Sequence, residues 1–455
     1  MKIIDELLTA KPELTQWRRD IHAHPEIAFE EHRTAGIVAE KLKAFGLDVE
    51  TGIAGTGVVG RLSKGRGNRA IGLRADLDAL PIQEANEFAH KSTNPGKMHA
   101  CGHDGHTTML LGAAQYLAEQ GEFEGTVYFI FQPAEENEGG GRAMVEDGLF
   151  ERFPMEAVYA MHNIPGIPVG KFAVKSGPMM AAFDIFELTV TGQGGHAAMP
   201  HLSIDPVIIG AKIVDAYQTV ISRIVDPIEP AVLSVTQFHG GDAFNVIPNE
   251  VEIKGCTRCF SPQVQSQLET EMRRIAEEIS SAWGASCEFR YERRYPPTIN
   301  SKSEAKLAAD VAAEIAGINN VNLKPKPAMG SEDFAYMLQE KPGAYIWIGN
   351  GDVKGHAWSI TQVMTLTTRF CQSVQPGSFA WQKEACHHSA DRYDLESDSR
   401  KLHHHASCLR VQATYSNDIK PGYQQFPSDR LEAIVDGHHL HHLPWLQVFN
   451  ENSFH

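Results

Sequence analysis

Three short apolar runs constrain this chain more than any other feature: Ala70-Ile-Gly-Leu-Arg74, Gly125-Thr-Val-Tyr-Phe-Ile-Phe131 and Ala157-Val-Tyr-Ala-Met161. Each is too short for a core helix, and none alternates apolar with polar as a half-exposed strand would. Continuous apolarity over five to seven residues marks buried strands. Helical patterns lie between them, at about Glu30–Phe45 and Thr107–Glu119. The first 182 residues therefore read as part of an α/β domain built on a mixed sheet.

The texture changes between residues 183 and 296. A strand (Phe183–Thr191), a helix (Asp205–Ile224), two strands (Ala231–Phe238, Glu250–Cys259), a long helix (Pro262–Trp283) and a strand (Cys287–Tyr291) follow in turn. That β-α-β-β-α-β order predicts a ferredoxin-like α+β unit inserted into the first domain. Pro296-Pro297 marks the return, and a helix at Ser303–Ala316 and a strand at Gly343–Ile348 complete the α/β domain over 297–358. Residues 359–455 are of another kind, polar and rich in histidine, as in His403-His-His405 and Gly437-His-His-Leu-His-His442.

A formal charge of -16 argues against a nucleic-acid or anionic-membrane partner. No apolar run reaches spanning length, and Met1-Lys-Ile-Ile-Asp-Glu-Leu-Leu8 is an acidic amphipathic start and not a signal peptide. Seven cysteines without framework spacing fit a reducing cytoplasm. Cys256-Thr-Arg-Cys259 has thiol-pair spacing but sits in an alternating strand, so packing is the expected role.

The chemistry gathers where the apolar strands end. Met98-His-Ala-Cys-Gly-His-Asp-Gly-His106 places Cys101, His103 and His106 in one stretch, and thiolate with imidazole suits a borderline-soft divalent metal. Gly102 and Gly105 predict a loop, with a buried helix from Thr107; alone, the stretch also reads as a structural turn with Asp104 as cap. Glu135 and Glu136 follow the second strand, at the sheet edge where ligands collect. Adjacent carboxylates there point differently, so one can hold an ion while the other takes a proton from attacking water. The bland alternative is a solvated acidic turn. His162 follows the third strand and brings an imidazole to the same edge.

Asp76 and Asp78 end the first strand, either as ligands or as acceptors that orient a ligating imidazole; the second role is favoured. Gly330-Ser-Glu-Asp333 opens a helix, with Ser331 a candidate N-cap and the acids suited equally to the helix dipole or to the active site. In the inserted unit, the loop Gly192-Gln-Gly-Gly-His-Ala-Ala-Met-Pro200 carries His196, which is either an oxyanion-stabilising group or an exposed hinge histidine. Asn245 and Arg258 offer an amide donor and a guanidinium fork for a substrate carboxylate, though each is also an ordinary turn residue or solvated charge.

Together these motifs resemble the aminoacylase/carboxypeptidase family of dinuclear metallo-amidohydrolases, in its hippurate hydrolase-like branch. The likeness runs in order from Trp17-Arg-Arg-Asp-Ile-His-Ala-His-Pro-Glu26 to Gly351. It implies a metallopeptidase-like catalytic domain with an inserted lid, acting on N-acyl amino acids, as a homodimer joined through the lid. It implies two divalent ions (Mn, Zn, Co or Ni) held by Cys101, His103, Glu136 and His162. Glu135 matches the general base, His196 a lid histidine that stabilises the oxyanion, and Asn245 and Arg258 the substrate-carboxylate contacts. A dipeptidase or a deacylase of another amino-acid conjugate is the alternative within this chemistry.

The chain departs from that family after Ile348-Gly-Asn-Gly351. The expected His-Asn-Pro-x-Tyr-Asp-Phe-Asn-Asp segment, which carries a last metal-binding histidine, is replaced by Ser359-Ile-Thr-Gln-Val-Met-Thr-Leu-Thr-Thr-Arg-Phe-Cys-Gln372. Back-translation one base earlier recovers it. Ser-Ile permits a His codon, Ile-Thr an Asn codon, and Thr-Gln a Pro codon. Met364-Thr365 forces Asp, and Phe370-Cys371 forces Leu. Residues from about Ser359 onward thus read as an out-of-frame tail, which accounts for the histidines without a metal-storage role. An inactive or metal-poor chain follows as a further alternative, with His356 a weak substitute ligand.

Overall fold

The computed structural model describes residues 5–351 except 137. His356 and the out-of-frame stretch lie outside the described residues. The larger sheet contains β1 (Asp48–Ile53), β2 (Gly57–Lys64), β3 (Ala70–Asp76), β4 (Gly125–Gln132), β5 (Ala157–Ile164) and β6 (Phe172–Ala173), with Val321–Asn322 and Gly343–Gly349. Its order is β1-β2-β4-β3-β5, then Gly343–Gly349, β6 and Val321–Asn322. β4, β3, β5 and Gly343–Gly349 are mutually parallel, while β2 joins β4 antiparallel. The three apolar runs are therefore the adjacent central strands, and every residue of β3 after Ala70 is buried.

Helices α1 (Asp5–Ala23), α2 (His32–Ala44) and α3 (His103–Glu119), with Lys302–Ala316, cover one face of this sheet through Leu14, Val38, Leu42, Leu111, Val311 and Ile315. Met144, Phe150, Phe334 and Met337 cover the other. Parallel register brings the C-terminal ends of the central strands to one edge: Asp76 lies opposite Gln132, and His162 opposite Trp347.

The second sheet runs Ala231–His239, Glu250–Cys259, Ala182–Thr191, Ser286–Tyr295, all antiparallel. In a β-α-β-β-α-β unit that is spatial order 2-3-1-4, as the ferredoxin-like expectation requires. Ala182–Thr191 alternates buried with half-buried residues, and its buried side meets Ile213, Tyr217, Leu268 and Met272 from helices Pro206–Thr219 and Pro262–Ala282. Both helices start on a side-chain cap followed by proline: Asp205 accepts from Val207 N at 2.9 Å, and Ser261 from Val264 N at 3.4 Å. Cys256 and Cys259, three apart on one strand, point to opposite faces, and Cys259 joins the core of this unit. Packing is the role of Cys259.

Candidate metal centre

Sequence spacing predicted a loop through Gly105; the structure instead starts α3 at His103, with Gly102 as a left-handed N-cap at φ 102°. His103 and His106 thus occupy the first helical turn, one turn apart, facing the strand ends. Asp104 is not a cap. Its Oδ2 takes a 2.9 Å hydrogen bond with His22 Nδ1 from α1.

Around this turn the predicted ligands converge. Cys101 Sγ lies 3.4 Å from His162 Nε2, and His103 Nε2 lies 3.9 Å from both Glu135 Oε2 and Glu136 Oε1. Cys101, His103 and His162 form one group of closely spaced potential ligand atoms, and His103, Glu135 and Glu136 another. His162 Nδ1 donates to Asn163 O at 2.6 Å, and His103 Nδ1 donates to Asp78 O at 2.8 Å, so each ring presents its Nε2 lone pair inward. Asp78 also accepts from Glu136 N at 2.9 Å, which fits the orienting role expected of it. Asp76 accepts from His106 Nδ1 at 2.6 Å and lies 3.7 Å from His103 Nε2. His106 Nε2 in turn accepts from Asn163 N at 3.2 Å, so both nitrogens of His106 are satisfied within the protein.

Two buried atoms of the cluster, His103 Nε2 and Glu136 Oε1, have no hydrogen-bond partner among the described residues. Orphaned buried acceptors are costly, and a shared cation answers both at once. The thiol, imidazole and carboxylate set suits a borderline divalent ion. The residues present fit such a group. Protonation follows the same logic. Burial works against charge on His103, but Asp76 and Cys101 hold it well above its ordinary value, so without an ion a proton sits on Nε2, and a bound cation would displace it to free the lone pair. Burial, with His106 adding, lowers His162 to about 3 and leaves a neutral imidazole ready to ligate. Burial pushes the Cys101 thiol up, a cost that a coordinated cation removes. Burial, with Glu332 and Asp333 adding, holds Glu135 well above the usual carboxylate range.

A family model described as Peptidase family M20/M25/M40 matches residues 72–362, which span this whole strand-end cluster. The chain belongs to that family. Among M20-like relatives, the hippurate hydrolase of Campylobacter jejuni subsp. jejuni serotype O:2 is 42% identical over 350 residues, covering 77% of this chain and 91% of its own. The N-acyl-L-amino acid amidohydrolase of Geobacillus stearothermophilus is 45% identical over 301 residues, covering 66% and 80%. Among solved structures, the Bacillus subtilis YXEP protein, a dinuclear metal binding peptidase of the M20 family, superposes with TM-score 0.69 at 32% identity, covering 80% of this chain and 98% of that one.

Beside the M20 cluster stands a second group of acids that sequence reasoning left undecided. Glu332 and Asp333 are fully buried near Glu135. Ser331 is not a cap: the helix is Phe334–Glu340 with Asp333 at its N-cap position and no side-chain cap bond. Ser331 Oγ instead accepts from Arg258 Nη1 at 3.0 Å, and the Arg258 guanidinium lies 3.9 Å over the Phe183 ring. Arg74 ties the acids together. Its guanidinium reaches Asp76 at 2.8 Å, Glu332 at 3.0 Å and Asp333 at 3.1 Å, and donates to Gln132 Oε1 at 2.8 Å. A signal for Arg74 existed, since a lone arginine inside a strand buried on both faces demands carboxylates.

His196 and Asn245 are not brought to the cluster. His196 is exposed on a two-residue strand paired with Val246–Ile247, its Nδ1 accepting from Ala198 N at 3.1 Å. Asn245 is exposed beside it, its carbonyl accepting from Ala197 N.

Proposed function

We propose that the chain hydrolyses the amide bond of an N-acyl amino acid at a centre of two divalent ions held by Cys101, His103, Glu136 and His162. The observation that carries this reading is the pair of buried, unpartnered ligand atoms, His103 Nε2 and Glu136 Oε1, within one converging cluster. The names of the hippurate hydrolase and N-acyl-L-amino acid amidohydrolase relatives support the substrate class. Bound ions supply Lewis acidity toward the acyl carbonyl and make water a better nucleophile. Glu135 takes the proton from the attacking water and passes it to the departing amine nitrogen, a task suited to a carboxylate with a raised pKa. Arg258 holds the substrate carboxylate; His196 and Asn245, which the chain does not bring to its own cluster, reach the substrate across the homodimer, His196 steadying the oxyanion and Asn245 contacting the carboxylate. Residues 1–182 and 297–358 make the catalytic domain and 183–296 the lid.

A homodimer through the lid accompanies this reading. Ala231–His239 is an edge strand carrying exposed Phe238, and Ile208 on the adjoining helix is exposed as well. Sedimentation should give a dimer at micromolar concentration, and Phe238→Glu with Ile208→Glu should give a monomer; a monomeric wild-type chain overturns the dimer. No helix among the described residues is long and apolar enough to cross a membrane. Among the described residues Cys101, Cys256, Cys259 and Cys287 are free, which fits a cytoplasmic location.

A second reading follows from the tail. The last histidine ligand expected from the family is missing from the chain as written, so it should bind clearly fewer than about two ions. Metal analysis of this chain beside a variant carrying the one-base-earlier frame from Ser359 tests both readings. The restored variant should hold close to two ions, and His103→Ala in it should lose them. Equal, full loading of both forms sinks the frame-damage reading; no loading of either sinks the metal centre.

A further inference from the structure

The turn that presents Glu135 and Glu136 has an unusual backbone. Ala134 sits at φ 53°, in the left-handed region that L side chains rarely adopt, and is fully buried. Such outliers persist only where their surroundings over-determine them, and they concentrate at functional sites. Three elements do so here. Glu31, at the start of α2 and itself fully buried, accepts from Ala134 N at 2.9 Å through Oε1. Its other oxygen accepts from Thr56 at 2.6 Å, which fixes the carboxylate plane. Gly140 N donates to Ala134 O at 2.9 Å; a Cβ at Gly140 would lie 1.8 Å from Pro133 O, so only glycine permits this closure. Tyr295 donates its hydroxyl proton to Glu135 O at 2.5 Å and accepts from Gly139 N at 3.2 Å.

Tyr295 is the last residue of the Ser286–Tyr295 strand, in register with Phe183 at the other end of the insert, immediately before Pro296-Pro297. It therefore stands where the smaller sheet returns to the larger one. Its hydroxyl is the link between that junction and the backbone of the acidic turn.

We infer that Glu31 and Tyr295 are positioning residues, clamping Ala134 in its left-handed conformation so that Glu135 and Glu136 point into the cluster. The clamp makes the geometry of the turn depend on how the inserted unit is seated. This rests on the metal-centre reading above, because its readout is the ion that Glu136 helps to hold.

The experiment is a Co2+ titration of the full chain against a competing chelator, read by affinity and by the visible absorption of bound Co2+. Tyr295→Phe keeps the ring and removes only the hydroxyl. It should weaken Co2+ binding by roughly tenfold or more and alter the spectrum, the size expected when support behind a ligand is lost. Ala134→Gly in the Tyr295→Phe background should restore most of the affinity, because glycine holds the left-handed conformation without a clamp. Glu31→Ala should weaken binding, whereas Glu31→Gln, which keeps an acceptor for Ala134 N–H, should stay near wild type. Should Glu31→Ala fail to fold, the Tyr295 pair decides alone. A wild-type chain that binds Co2+ while Tyr295→Phe binds within about twofold of it overturns the clamp alone, as does a loss that Ala134→Gly leaves unrepaired. Failure of both the wild-type chain and the variant carrying the one-base-earlier frame from Ser359 to take up Co2+ overturns the metal centre and the clamp together; if only the latter binds, the same substitutions are read in it against the same limits.

Discussion

Glu135→Gln is expected to lower kcat by roughly 10²–10⁴-fold on a hippurate-like substrate, with KM and bound metal near wild type. The substitution keeps shape and removes only the ability to carry a proton. Glu135 lies 3.9 Å from His103 Nε2, at the cluster but outside the Cys101, His103, His162 group. It shares its pocket with Glu332 and Asp333, all three buried, so its ionised form is held at a disadvantage by burial and by like charge. A neutral amide relieves that repulsion, and the melting temperature should hold or rise while turnover collapses. Glu136→Gln should behave differently, losing metal first, because Glu136 Oε1 is one of the two unpartnered ligand atoms. Steady-state kinetics beside metal analysis separates the two acids. Turnover of Glu135→Gln within about tenfold of wild type would remove Glu135 from the proton path.

Much of this site was legible because its parts follow local rules. Continuous apolar runs announced buried strands, and the parallel pairing the structure gives them puts their ends, with Asp76, Glu135, Glu136 and His162, at one edge. The expected helices Asp205–Ile224 and Pro262–Trp283 of the inserted unit match Pro206–Thr219 with its continuation Val220–Ile224, and Pro262–Ala282, almost to the residue. What failed was local propensity against tertiary demand. Gly102 and Gly105 argued for a loop, yet His103 and His106 are 0% and 2% exposed, and burying both beside Asp76 and Asp78 favours starting the helix there. Arg74 signalled a need for carboxylates, but which ones was illegible for another reason: Asp333 lies 259 positions away, and nothing local selects that partner. Glu31 and Tyr295 carried no signal at all, because their task is to hold a backbone conformation at Ala134, and backbone angles leave little trace in residue type.

Arg74→Met is expected to destabilise the protein by about 3–5 kcal/mol, because it strands buried carboxylates that now share one guanidinium. Arg74 is 4% exposed, and methionine fills most of its volume, so a cavity is not the cause. Against a total stability of about 5–15 kcal/mol such a loss leaves a large unfolded fraction on mild heating. The effect should depend on pH, and its sign can be worked out. Burial pushes Asp333 up to about 8 from an ordinary 3.8, with Arg74 opposing and Glu332 adding to the shift. Removing Arg74 takes away the opposing charge and raises it further. A carboxyl whose folded-state pKa is raised binds more protons folded than unfolded, so stability falls as pH rises from 3.8 through about 8. Arg74→Met should therefore be most stable in mild acid and lose stability more steeply than wild type toward neutral pH. Asp333→Asn added to it should recover part of the loss by removing one stranded charge, since the two residues interact directly at 3.1 Å. Thermal melts of the three chains between pH 5 and 8 test this. A melting temperature for Arg74→Met that matches wild type across that range would mean the acids do not depend on Arg74, and that the buried network holds through Gln132 and the Gly141 amide alone.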